Sequence, residues 1–257
     1  MNLEEKNARK EAKQLLDDFD NAFHSDDVKK LREFYPHYVA LYTKFIFKPT
    51  IAIRGINPSW FIGKQPETDA EKKDEKRRVN SLKKLHDLNA YIDYPEPRYH
   101  QNIKKTFIKI LNSFADNPLD DEAIFNWMRD DVVGWNNCFI QTGSVGLNKL
   151  IQDANYIDSL NFNSSCIDLI KESKRIAKKL ESLMQPGLII YAGQDAANEN
   201  RWPKHKYDTL KSIQDNPKKT LWGGNAIAVK HFSWPDKGTN REFQIVESWV
   251  TPSNEEI

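Results

Sequence analysis

Residues 50–60, TIAIRGINPSW, decide the fold of this chain. Thr50-Ile51-Ala52-Ile53-Arg54 is a short β-branched run, the composition of a buried strand. Gly55 ends it, and a glycine adopts backbone conformations closed to other residues, so the chain can turn sharply there. Pro58 then fixes the backbone just beyond Asn57. A strand that delivers a rigid polar loop suits an open α/β sheet, whose ligands sit outside the carboxyl ends of the strands. An asparagine held at position 57 can orient a water through its amide oxygen without becoming charged. It can equally well do no more than stabilise the turn.

Other stretches pass from apolar to polar in the same way. DDVVGWNNCFIQT (130–142) reads as a strand running into Asn136 and Asn137, and NAIAVKHF (225–232) as a last strand running into SWPDKG. LIIYAG (188–193) is the clearest strand of all. Helical rhythm separates them. Ile103, Phe107, Ile110, Leu111 and Phe114 share one face, as do Ile167, Ile170, Ile176, Leu180 and Leu183 in a helix over 166–184 that Pro186 and Gly187 terminate. Gln194–Asn200 opens a further helix. Strands alternating with helices imply a three-layer α/β/α fold around a short, mostly parallel sheet.

Residues 1–47 read as a helical extension packed on this single domain of 257 residues, with apolar spacing through Leu15, Leu16, Phe19, Phe23 and Leu31. Residues 64–98 form a charged insertion, dominated by Lys, Glu, Asp and Arg up to position 90 and closed by YPEPRYH. A solvated helix, a mobile insertion and a lid or DNA-facing arm all fit that composition. With 39% hydrophobic and 29% charged residues the chain suits a globular protein with a core, and no run approaches the roughly 18 apolar residues of a membrane span. The N-terminus lacks the apolar run of a signal peptide, so a cytoplasmic protein is expected. Cys138 and Cys166 are too few for a cysteine-ligated cluster or a four-cysteine zinc site. Neither a metal nor a cofactor is expected. A net charge of +1 means that any contact with nucleic acid relies on local positive charge.

His231 follows the last strand, with Ser233 and Pro235 behind it. There it can donate a hydrogen bond to a carbonyl that gains negative charge, or be satisfied by the backbone of its own strand end. IAIRGINPSW resembles the first motif of the uracil-DNA glycosylase superfamily, in particular its mismatch-specific and single-strand-selective branches. VKHFSWP resembles the second motif, a His-Pro-Ser type loop. VVGWNNCFIQT is similar to the strand whose asparagine recognises a flipped base, and LIIYAGQDAANE to the strand and helix before the last motif. The four occur in the family's order across about residues 50–240.

The resemblance implies a DNA glycosylase of base-excision repair acting on uracil or a related damaged or mismatched pyrimidine. Asn57 would position the hydrolytic water and His231 would stabilise the leaving base. Asn136 would read the base edge, with Asn137 as the alternative if the register slips by one; local backbone bonding is the other role open to Asn136. Trp60, Phe61 and Phe107 are candidates to stack on the base, Phe107 being equally suited to the core. Ser59 and Ser233 would hold flanking phosphates, Trp234 and Pro235 would wedge the duplex, and Lys237 and Arg241 would meet phosphate unless they are simple surface charge. The implied partner is DNA, bound by a monomer. Trp60 departs from the small residues usual after the first motif, Phe232 replaces the proline usual after the histidine, and the N-terminal helices and 64–90 segment have no counterpart. A member that has lost its chemistry and binds nucleic acid or protein, and a hydrolase of free nucleosides or nucleotides, are the competing expectations.

Overall fold

The computed structural model describes residues 1–55, 66–82, 89–94, 97–114, 117–142, 160–193, 218–219, 225–229 and 231–232. The strands are β1 (Ile51–Gly55), β2 (Val132–Asn136), β3 (Leu188–Ala192), β4 (Lys218–Lys219) and β5 (Asn225–Val229). They lie in the order β2-β1-β3-β5-β4; the first four are parallel and the two-residue β4 runs antiparallel at the edge. Ile51 pairs with both Val132 and Leu188, and Leu188 with Asn225, so the four parallel strands start level. Being of equal length they also end level, at Gly55, Asn136, Ala192 and Val229. The chain leaves β1 for β2 on one side and returns across it to β3 on the other. That reversal marks the carboxyl ends of β1 and β3 as the switch point where an α/β sheet opens a crevice.

Helices cover both faces: α1 (Leu3–His24), α2 (Lys29–Phe34), α3 (Asp69–Leu82), α4 (Ala90–Asp93), α5 (Arg98–Phe114), α6 (Asp121–Asp131) and α7 (Ser164–Met184). Strand alternation divides the core in two. Ala52, Val133, Trp135, Ile189, Tyr191 and Ala226 pack under α1 and α7. Ile51, Ile53, Val132, Leu188, Ile190, Ile227 and Val229 pack under α5 and α6. Both faces of every central strand are therefore dry, which explains why these strands read as unbroken apolar runs. Each fully buried Ile, Leu or Phe contributes roughly 1.5–3 kcal/mol. Among the described residues no helix is long and apolar enough to cross a membrane.

Local chemistry sets the helix ends. Asn163 Oδ1 accepts the Cys166 N–H at 2.9 Å to start α7. Gln185 takes a left-handed conformation (φ 53°) to end it, its N–H returning to the Glu181 carbonyl at 2.9 Å. In α1, Ala8, Ala12, Phe19 and Phe23 make one buried stripe against α7. The N-terminal region is thus part of the core. Its segment 37–43 continues this role by running antiparallel beside β2: the Val39 N–H donates to the Phe139 carbonyl and the Tyr42 N–H to the Gly134 carbonyl, both at 2.8 Å.

Three features differ from the expectations. Helix α6, directly before β2, has no anticipated counterpart; Asp120 caps it by accepting the Ala123 N–H at 2.7 Å. Helix α5 begins at Arg98, so the last three residues of YPEPRYH start a helix; residues 95 and 96, on which the expected turn falls, lie outside the described residues. The charged stretch is docked: Glu75 and Val79 of α3 are fully buried, and Glu75 Oε1 accepts from Gln141 Nε2 at 2.6 Å. Its charge density concealed this because only one face of α3 turns inward. The expected helix over 194–200 lies outside the described residues.

Candidate functional site at the carboxyl edge of the sheet

Asn136 ends β2 beside Gly55, its register partner on β1. Its side chain is buried, and its Oδ1 lies 2.3 Å from where a β-carbon on Gly55 would stand. Only a glycine leaves that space to the amide. The Asn136 Nδ2 is also buried and has no hydrogen-bond partner of regular geometry among the described residues. An amide donor in that condition costs roughly 1–3 kcal/mol, which a ligand carbonyl can relieve. Asn137 is equally buried, and its backbone N–H extends the ladder by donating to the Gly55 carbonyl at 2.9 Å.

His231 arrives from the other side of the switch point. It follows β5 and packs on Gly193, whose missing β-carbon would lie 3.3 Å from His231 Cβ and 3.4 Å from Cδ2. Gly193 has φ +102°, a conformation that side chains resist, and its N–H donates to the Val229 carbonyl at 2.9 Å. Phe232 then turns into the core, fully buried, and its carbonyl accepts from Asn102 of α5. Phe232 therefore anchors the histidine through its packing and its hydrogen bond with Asn102.

Tyr99, in the first turn of α5, joins the two arms. Its hydroxyl lies 3.7 Å from the same Gly55 β-carbon position that Asn136 overlooks. Its ring centroid is 5.0 Å from that of His231, tilted by 36°, and 5.8 Å from Phe232, edge-on. Tyr99 is half-buried, and the packing around its hydroxyl raises its pKa, so it remains a phenol. The sequence offered a signal for it, an aromatic residue just after two prolines at a helix start, but nothing in that pattern reveals which strand ends the helix faces.

Behind Asn136 stand more phenols. Tyr42 stacks on Tyr91 at 5.8 Å, and Tyr91 rests on Gly134, with its hydroxyl 1.8 Å from the absent β-carbon. The Tyr42 pKa is raised by burial; the neighbouring Asn136 amide pulls it down and the charge of Glu75 pushes it up. On the opposite face Arg54, one residue before Gly55, is buried in an ion pair with Glu181 of α7, its guanidinium 5.6 Å from the centre of the Trp135 ring. Burial raises the Glu181 pKa more than Arg54 and Lys178 lower it.

The structure thus brings Asn136 and His231 to one edge, around Tyr99. Phe107 is placed elsewhere. It is fully buried, 5.7 Å from Trp127 of α6, and two turns along α5 from Tyr99, so it is a core residue and offers no face to a base. Asn57, Ser59, Trp60, Phe61, Ser233, Trp234, Pro235, Lys237 and Arg241 lie outside the described residues. Among the described residues no group of three or more His, Cys, Asp or Glu is arranged to hold a metal ion. No protein-family model matches this sequence, and no curated protein matches it.

Proposed function

We propose that the chain is a DNA glycosylase that hydrolyses the N-glycosidic bond of uracil or a related damaged or mismatched pyrimidine, working as a monomer in the cytoplasm. One observation carries this reading: the Asn136 amide, with a buried donor that meets no partner of regular geometry among the described residues, and the His231 imidazole flank the same tyrosine at the switch point. A pyrimidine there can pair its edge with Asn136, lie against Tyr99 and receive a hydrogen bond from His231.

Such a site needs neither a covalent nucleophile nor a metal. Bond cleavage leaves a cation-like sugar and an anionic base. His231 stabilises the negative charge on the departing carbonyl, a contribution of about 3–4 kcal/mol for one preorganised donor. Asn136 rewards the correct edge and penalises the wrong one, because a mismatched edge leaves buried polar groups unpaired. Asn57, two residues beyond Gly55, positions the attacking water.

The test is an oligonucleotide carrying one uracil, incubated with the protein and then cleaved with alkali at abasic sites. Strand cleavage with the wild type, and a loss of about 100-fold or more with His231→Ala, is the expected result. Binding without an abasic product identifies a binding module instead, and product from free nucleosides but not from DNA identifies a nucleosidase.

A further inference from the structure

His231 stands two residues beyond Val229, where the register of β5 with β3 ends, so the sheet's ladder does not fix it. Helix α5 does. Tyr99 and Asn102 are three residues apart near its start and therefore share one face. Tyr99 sets its ring 5.0 Å from the imidazole of His231, tilted by 36°, and 5.8 Å from the ring of Phe232, edge-on. The Asn102 Nδ2 donates to the Phe232 carbonyl. One helix face thus grips two consecutive residues, the first by its ring and the second by its backbone as well.

Gly193 bounds the histidine from the sheet. The three atoms nearest to its β-carbon position are Cβ, Cδ2 and Cγ of His231, so the carbon side of the side chain is the one seated there. The clamp is itself anchored. His100, next to Tyr99, is buried, and its Nδ1–H donates to the Tyr94 carbonyl at 2.8 Å. The Phe232 ring is fully buried. Such restraint matters for a histidine that works by hydrogen bonding, because a donor misplaced by about 1 Å can cost roughly 100-fold in rate. Tyr99 and Asn102 lie outside all four motifs of the resemblance.

We propose that Asn102, acting through the Phe232 carbonyl, and Tyr99, acting through its ring, are positioning residues that hold the His231 imidazole in one orientation at the carboxyl edge of the sheet. The effect on rate rests on the proposed glycosylase reading; the hold on the imidazole does not. Of the two, Asn102 reports positioning alone, because Tyr99 also offers its ring to the base.

Asn102→Asp keeps the shape and removes the donor, while Tyr99→Phe keeps the ring and Tyr99→Leu removes it. Thermal melting follows folding, and two readouts are compared: kcat and KM on an oligonucleotide carrying one uracil, and the Hα–Hβ couplings of His231 in histidine-labelled free protein, identified by their absence from His231→Ala. These couplings distinguish one side-chain rotamer from an average. Wild type and Tyr99→Phe are expected to hold one rotamer, and Asn102→Asp and Tyr99→Leu to average. Asn102→Asp is also expected to lower kcat about tenfold, the worth of one hydrogen bond, with KM unchanged. A merely structural role would lower the melting temperature without moving the couplings. A folded Asn102→Asp that keeps one rotamer, or keeps the full kcat of an active wild type, overturns the assignment, as does averaging in the wild type. If Asn102→Asp does not fold, the Tyr99→Leu couplings decide, a single rotamer there overturning the clamp. A wild type that holds one rotamer but excises no uracil overturns the glycosylase reading and leaves the clamp standing.

Discussion

Asn136 and Gly55 occupy one another's space: the amide oxygen of the first stands 2.3 Å from the β-carbon the second lacks. The encroaching atom is the end of a short side chain, so an added methyl displaces the amide and leaves the backbone ladder in place. Gly55→Ala is therefore expected to keep its circular dichroism and melting behaviour while losing activity on uracil-containing DNA as far as Asn136→Ala does. A Gly55→Ala variant with wild-type rates would show that the amide's position does not matter.

The opposite arm predicts a costlier substitution. Gly193 has φ +102° and carries His231 at 3.3–3.4 Å, so an alanine there is strained in the backbone and also pushes the imidazole. Gly193→Ala should lower stability by about 1–3 kcal/mol and activity more than that loss explains. Urea denaturation beside the cleavage assay separates the two effects.

Arg54 and Glu181 form a buried pair on the far side of the sheet, at the residue next to Gly55. Removing either partner strands the other charge in the core. Arg54→Met or Glu181→Leu alone should destabilise by about 3–5 kcal/mol, whereas the double variant should recover most of that loss. A denaturant-unfolding double-mutant cycle measures the coupling. Equal, additive losses would mean that the two charges do not depend on each other.

Alkali should unfold the protein through its phenols. Burial pushes Tyr191 up to about 12 from 10.0 and raises Tyr38, Tyr42, Tyr91 and Tyr99 as well. A phenol held protonated in the folded state favours folding fully below the ordinary tyrosine value, and that contribution is lost as pH rises through the folded value. Phenolate absorbance and far-ultraviolet circular dichroism, followed together upward from pH 10, should change in one transition. Gradual ionisation with intact secondary structure would contradict it.

The sequence determined the local chemistry. β-Branched runs bounded by Gly55, Gly193 and the Asn136-Asn137 pair declare strands that end in polar loops, and the helix over 164–184 follows from its apolar spacing and its Pro-Gly stop. Alternation of these elements was enough to give three layers, because a strand buried on both faces must be covered on both. Tertiary structure decided what faces what. Strand order set Asn136 and His231 on either side of Tyr99, though 95 residues separate them in the chain. The start of α5 brought Tyr99 between them and carried Phe107 into the core, where the same aromatic periodicity would have allowed either position. Glu75 looked like one charge among many, and only docking of α3 on Gln141 made it a buried group. Periodicity specifies which face of an element avoids water. Which neighbour that face meets depends on how the whole chain closes, and that is not encoded within any one segment.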